Sequence, residues 1–300
     1  MKFTKPALSF NQQIELLESR HLTIGDRERA LRWLSRVNYY RLSAYFIPFK
    51  VGDGTENFRT GSNLTEIIDL YKFDARLRLL FIQAIERIEI AFRTSITYEL
   101  SHSYGCFAHT DQNTYSQWFL APTRIGQPAP FVELMQNLAK EEQKAKELFV
   151  NAYRNKYTTE KHLPVWIATE LMSFGTLSMM FRGLKSATKT KIASEYQLAE
   201  NPFQSWLHVF ATIRNFCAHH NRIWNRQLGV KPTIPHGWTY TIPSSDRIYA
   251  VAVMSQQLLR IIAPQCKWKN RLFDLFDLHP AVNIKSMGFP DKWRELAPWT

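Results

Sequence analysis

Nine consecutive residues, from Arg214 to Arg222, concentrate side chains that can act on a phosphate group. The chemically useful members of this segment are Arg214, Asn215, His219, His220, Asn221 and Arg222. Arginine carries a permanent planar charge that matches phosphate oxygens. Histidine can accept and donate a proton near neutral pH. Together these residue types are sufficient for breaking a phosphodiester bond without a metal ion.

The segment follows a predicted apolar helix over residues 203–213, and helical spacing predicts how its side chains are arranged. Asn215, His219 and Arg222 are spaced i, i+4 and i+7, so they share one face if the helix continues. Arg214 precedes His219 by five residues and points roughly 140° away around the axis. The two side chains therefore converge in one of three ways: the helix is distorted, the long arginine reaches round, or a second copy supplies a partner.

Other interpretations of the cluster compete with this one. His219 and His220 are also consistent with a structural pair near the negative end of a helix dipole. A metal-dependent hydrolase could use the potential ligands His208, Cys217, His219 and His220. However, Cys217 and His219 are two residues apart and diverge on a helix, and no acidic residue lies beside the cluster. We predict no metal and no cofactor. Nucleophile-elbow and phosphate-loop sequences are absent as well.

The composition indicates a folded protein that either has a polyanionic partner or is simply a basic soluble protein. The chain has 38 basic and 26 acidic residues, a net charge of +12, which favours nucleic acid over a membrane surface. A hydrophobic content of 45% excludes a disordered chain. The three cysteines form no CxxC pair, which predicts a reducing cytoplasm. We expect a cytoplasmic protein without membrane contact, because no signal-peptide core or long apolar run is present.

Helical periodicity dominates the chain and strand-like alternation is scarce, so we predict an all-α fold. Predicted helices cover residues 11–20, 27–37, 64–103, 131–157, 164–184 with a break at 173–175, 186–196, a motif helix from residue 202, 247–263 and 268–278. Asp26, Asn63, Asn201 with Pro202, and Asp246 are predicted to begin four of them. We predict a single domain over residues 1–300. Residues 1–60 are its N-terminal helical extension, and residues 128–160 are a candidate projecting helix.

Additional candidates lie outside the motif. Arg36 precedes and Arg41 lies within a tyrosine-rich stretch, 38–45, whose rings could stack on bases, although packing into a core is the favoured interpretation. These two arginines and Arg226 are predicted RNA contacts. Glu86 either pairs with a nearby cation on a solvated face or positions a catalytic arginine.

Two parts of the sequence together resemble known families. The pairs KP at 5–6 and PF at 48–49, with QIELL at 13–17 and NYYRLSAY at 38–45, resemble the start of Abi-like (AbiD/AbiF type) bacterial abortive-infection proteins. RNFCAH at 214–219 resembles the R-x4-6-H signature of the HEPN superfamily. This resemblance implies a HEPN-like helical bundle with additional N-terminal and peripheral helices. It also implies that two motif helices meet across a two-fold axis.

The same resemblance implies a function. Such proteins are typically metal-independent endoribonucleases, acting as toxins or in antiphage defence. Arg214 would hold the scissile phosphate, His219 would be the general acid/base and Asn215 would orient the site. His220, Asn221, Arg222 and Glu86 are candidate supporting residues. The expected partners are RNA, a second copy of the chain and a candidate neutralising RNA or protein. The alternative is a non-catalytic RNA-binding or toxin–antitoxin complex protein with the same fold.

Overall fold

The structure, a computed structural model, describes Lys2 and residues 6–300. Within these residues the backbone forms thirteen α-helices, four short 3-10 segments and three isolated β-bridges. The predicted all-α class is confirmed. In chain order the helices are α1 Phe10–Ser19, α2 Arg27–Val37, α3 Tyr39–Ser43, α4 Leu64–Tyr104, α5 Gln117–Leu120, α6 Pro130–Lys144, α7 Leu148–Lys156, α8 Val165–Leu171, α9 Phe174–Gly183, α10 Ser186–Glu195, α11 Glu200–Ala218, α12 Ile248–Ile262 and α13 Trp268–Asp277.

The chain divides into two compact units. The first contains the described residues up to Leu79 and the segment Leu272–Asn283. The second contains Leu80–Arg271 and Ile284–Thr300, and therefore the whole motif segment. None of the described helices combines the length and the apolar composition that crossing a membrane requires.

In the first unit, α1 packs against α2, and the predicted start of α2 is confirmed. The Asp26 carboxylate accepts a hydrogen bond from the Arg29 backbone N–H at 2.8 Å, which satisfies one of the unpaired donors of the first turn. The tyrosine-rich stretch then divides between core and surface. The buried Tyr45 hydroxyl donates to Asp74 at 2.6 Å, whereas Tyr40 is 86% exposed.

The motif helix α11 crosses the core of the second unit, where it packs against α9, α10 and α12. Its first half is anchored by Phe203, which is fully buried. The Phe203 ring stacks on Tyr196 at 4.6 Å and lies edge-on to Phe181 at 5.4 Å and to Phe92 at 5.7 Å. This aromatic cluster holds one end of α11 in place and leaves the other end to reach the surface.

Two predicted helix caps are wrong, because neither α11 nor α12 has a side-chain cap bond. The helix α11 begins at Glu200, after Ala199, which makes no side-chain cap bond. Pro202 is tolerated in the first turn because N–H groups there lack intrahelical partners. The Glu200 carboxylate accepts from Ser186 at 2.7 Å, which ties this turn to α10. Similarly, Asp246 does not cap α12; its carboxylate accepts from Gln227 at 2.8 Å.

The single helix predicted over residues 131–157 forms two helices, α6 and α7. Ala145 has an extended backbone with ψ of 125°, which ends α6. The Arg154 side chain donates to the Glu142 carbonyl at 3.0 Å and so satisfies one of the acceptors left at that helix end. The helix α6 packs against α5, α8 and α9, and its Glu141 accepts from the Thr176 hydroxyl at 2.9 Å.

His109 is a fully buried histidine in the second unit. Neither ring nitrogen has a hydrogen-bond partner among the described residues. Burial, assisted by the nearby His162, lowers the pKa of His109 from 6.5 to about 4. The folded protein therefore holds this imidazole in its neutral form, while the unfolded chain takes up a proton below about pH 6.5.

We expect His109 to make the protein acid-sensitive. Stability from the neutral ring is present above pH 6.5 and is lost as the pH falls toward 4, by about 2 kcal/mol at pH 5. Urea unfolding of the wild type and of His109→Leu at pH 7.5 and pH 5 measures the difference. His208→Leu removes an exposed histidine and is the control. Equal losses on acidification in all three proteins would contradict the prediction.

Candidate functional site

The C-terminal half of α11 separates an apolar face from a polar one. Phe210, Ile213 and Cys217 are spaced at three and four residues and are buried. Asn215 lies on the opposite side and is exposed. Arg214 borders the apolar face and is exposed as well. The buried residues anchor the helix, and the side chains suited to phosphate chemistry face solvent.

The helix ends at the motif itself. His219 is the C-cap, and its backbone N–H still bonds the Asn215 carbonyl at 3.0 Å, as in a regular helix. His220 then adopts a left-handed backbone with φ of 57°. Its N–H bonds the Cys217 carbonyl at 3.1 Å, and the Asn221 N–H bonds the Phe216 carbonyl at 2.8 Å. This pair of bonds is the Schellman motif, which turns the chain away from the helix axis.

The Schellman turn changes one prediction made from helical spacing. Arg222 lies beyond the helix end, so it does not continue the face shared by Asn215 and His219. The predicted three-residue face is therefore wrong for Arg222. The predicted relation between Arg214 and His219 is unchanged, because regular helical hydrogen bonding extends as far as the His219 N–H. The helix is not distorted at this end, and the offset of roughly 140° between the two residues stands.

Arg214 and His219 are both exposed and lack neutralising partners among the described residues. The Arg214 guanidinium donates to the Asn215 side-chain oxygen at 3.4 Å and makes no ion pair in that part of the chain. The His219 imidazole makes no hydrogen bond there. A neutral amide beside Arg214 orients the guanidinium and leaves its positive charge available to an incoming anion.

Arg226 packs directly against the motif helix. Its guanidinium lies over the Phe216 ring at 3.9 Å and donates to the Arg222 carbonyl at 3.3 Å. Burial lowers the pKa of Arg226, and the neighbouring Arg222 charge lowers it further. The predicted RNA contact at Arg226 thus lies on the same helix end as the motif. Phe216 was missed as its support, because no local pattern links residues ten apart across a turn.

The remaining candidates lie elsewhere. Arg36 and Arg41 belong to the first unit and are exposed at the end of α2 and on α3. Glu86 is exposed on α4 and lines a cavity of the second unit together with Arg87 and Arg271. Among the described residues, no motif side chain lines that cavity. The supporting role of Glu86 at the motif therefore stays a prediction.

The potential metal ligands near the motif are not gathered. Cys217 is buried, whereas His208 and His219 are exposed. Within the described part of the chain, no group of three or more His, Cys, Asp or Glu side chains is placed to hold a metal ion.

Comparison with known families identifies the chain. The family model described as Abi-like protein matches residues 32–225, which is 194 of the 300 residues. The chain belongs to the Abi-like family. Membership points to abortive infection, a form of antiphage defence. The Abi-like match includes the tyrosine-rich stretch and the whole segment from Arg214 to Arg222. No curated protein and no solved structure matches the chain.

Proposed function

We propose that this Abi-like protein is a metal-independent endoribonuclease whose site is built on the C-terminal end of α11. The observation that carries the proposal is the exposure of Arg214 and His219 without neutralising partners among the described residues. A helix anchored by a buried apolar face presents one phosphate-binding cation and one proton-transfer group to solvent.

In the proposed reaction the RNA 2′-oxygen attacks the adjacent phosphorus, and the 5′-oxygen of the next nucleotide leaves. His219 either accepts the proton of the attacking 2′-hydroxyl or donates a proton to the leaving 5′-oxygen, and water exchanges the other proton. Arg214 stabilises the negative charge on the non-bridging oxygens, and Asn215 holds the guanidinium in position. The products are a 2′,3′-cyclic phosphate and a 5′-hydroxyl end. Arg226 and Arg222 add positive charge beside the same helix end and favour binding of the RNA backbone.

The site is proposed to combine residues from two copies of the chain. Arg214 and His219 diverge by roughly 140° on an undistorted helix, so their backbone positions do not direct both groups of one copy at the same phosphate. We propose that a second copy supplies the partner, in preference to an Arg214 side chain that reaches round its own helix. A two-fold arrangement of α11 helices would bring Arg214 of one copy close to His219 of the other. Each dimer would then contain two equivalent composite sites.

Incubation of the purified protein with end-labelled RNA in EDTA tests the proposed activity. New fragments carrying 2′,3′-cyclic phosphate and 5′-hydroxyl ends are expected, and Arg214→Ala and His219→Ala should each remove them. RNA binding without new ends in the wild type would instead support the non-catalytic interpretation.

Mixing the two inactive variants tests the composite site. Arg214→Ala and His219→Ala, refolded together, form mixed dimers in which one of the two sites has both groups intact. About half of the dimers are mixed, so we expect about a quarter of the wild-type cleavage rate. The same mixture without subunit exchange is the control and should be inactive. A mixture that stays inactive after demonstrated exchange would show that both groups come from one copy.

A further inference from the structure

A second candidate site is a polar cavity of 540 Å³ in the second unit. The part of α4 around Glu86 forms one wall, and the start of α13 forms another. Ligand pockets typically have volumes of about 300–1,000 Å³, so this space suits a small molecule or the end of a chain.

The lining of this cavity is positively charged. It includes three cationic side chains, Arg87, Lys267 and Arg271, and one carboxylate, that of Glu86. Arg87 and Lys267 make no ion pair within the described residues. The Arg271 guanidinium donates to the side-chain oxygen of Gln83 at 3.1 Å. Because an amide is neutral, Gln83 orients Arg271 without cancelling its charge, which leaves the cation available to an anionic ligand.

The cavity also has a fixed apolar edge. Trp268 is buried, its indole N–H donates to the Leu80 carbonyl at 2.8 Å, and its ring lies edge-on to Phe81 at 5.8 Å. Ile90 supplies a side chain that is 56% exposed. The immobilised indole supports this edge from beneath, and the exposed Ile90 side chain supplies the apolar surface, beside several cations, on which a sugar or base can pack.

We propose that this cavity binds a nucleoside phosphate, either a free nucleotide or the phosphorylated end of an RNA. The phosphate lies between Arg87, Lys267 and Arg271, which can offer guanidinium forks and an ammonium group. The nucleoside packs on the apolar edge. Glu86 accepts hydrogen bonds from ribose hydroxyls or a base amino group.

The carboxylate and the volume favour a nucleoside phosphate over inorganic phosphate. Glu86 would repel a bare anion, and a small ion would leave most of the cavity filled with water. Glu86 was predicted to support the motif, and the three cations were not predicted. The spacing of Gln83, Arg87 and Ile90 along one exposed face of α4 was a signal for Arg87 alone. No local pattern links it to Lys267 and Arg271. This proposal does not depend on RNA cleavage at α11.

Calorimetric titration of the full chain with AMP, ATP, adenosine and inorganic phosphate tests the site. We expect saturable binding of AMP or ATP, with both adenosine and inorganic phosphate weaker by about tenfold or more. Arg87→Ala and Arg271→Gln should each weaken nucleotide binding about tenfold. Arg124→Ala removes an exposed arginine outside the cavity and should change it by less than about twofold.

A second arm separates the two sources of the ligand. In His219→Ala protein, a 5′-phosphorylated tetraribonucleotide should displace AMP more strongly than its 5′-hydroxyl form if the site holds RNA ends. If neither form of the tetraribonucleotide displaces AMP, the site binds free nucleotides. The proposal is overturned if AMP, ATP and the phosphorylated RNA all fail to bind at about 1 mM. It is also overturned if inorganic phosphate binds as tightly as AMP, or if binding persists in Arg87→Ala and Arg271→Gln. Unchanged melting temperatures show that the variants remain folded.

Discussion

Replacing His219 with alanine is expected to slow RNA cleavage by about 10²–10⁴-fold while leaving the fold intact. The imidazole is exposed at the C-cap of α11 and makes no hydrogen bond among the described residues. Its removal therefore leaves no buried polar group unpaired and costs little stability. The loss should appear in the rate of the chemical step, since the cations that attract RNA remain in place.

The matched control for this change is His208→Ala, which removes an exposed histidine from the same helix. Single-turnover cleavage rates and RNA affinity are compared for the wild type and both variants, with melting temperature as the folding control. Cleavage should be lost in His219→Ala alone, with RNA affinity kept. Equal cleavage by all three proteins would remove His219 from the proposed mechanism. Arg214→Lys adds a graded test, because lysine keeps the charge but loses the planar fork.

Phe203→Ala is expected to lower the free energy of unfolding by about 3–5 kcal/mol. The ring is fully buried and contacts Tyr196, Phe181 and Phe92, so truncation leaves a cavity that these rigid rings cannot close. Urea unfolding followed by tryptophan fluorescence measures the change. Because Phe203 anchors α11, the cleavage activity of Phe203→Ala should fall in proportion to the fraction of folded protein. Under conditions where this variant is fully folded, its activity should equal that of the wild type.

Two further variants make the Phe203 result specific. Phe203→Leu keeps most of the volume and should cost less than the alanine change. Phe149→Ala truncates a partly exposed phenylalanine of α7 and should cost about 1 kcal/mol or less. If Phe203→Ala unfolds at the same urea concentration as Phe149→Ala, the aromatic cluster does not anchor the motif helix.

Helices whose ends are set by nearby residues could be predicted from the sequence. The Asp26 side chain bonds the Arg29 N–H three residues later, and α2 covers the predicted residues Arg27–Val37. The long periodic pattern beginning after Asn63 likewise predicts α4, which ends at Tyr104. In both cases the information lies within one turn of the helix end or in a sustained apolar repeat, so local physics decides the outcome.

Helix ends set by distant residues could not be predicted in this way. Glu200 is the first residue of α11, and Ser186 on a preceding helix donates a hydrogen bond to its carboxylate. At the break after α6, the Arg154 side chain donates a hydrogen bond to the carbonyl of Glu142, twelve residues earlier. A local pattern contains neither partner, so the predicted cap of α11 and the predicted unbroken helix over residues 131–157 were both wrong.

The features of the candidate site also divide into those that the local sequence determines and those that depend on distant residues. The sequence by itself determined which chemical groups are present from Arg214 to Arg222, and helical periodicity determined that Arg214 and His219 diverge. Only the tertiary structure decided that the helix ends at Ala218 and that His220 turns the chain out of line. It also decided that Arg226 packs on Phe216 and that Glu86 belongs to a separate cavity. The physical reason is that residue types and spacing are local properties, whereas burial, helix termination and side-chain partners depend on segments brought together by folding.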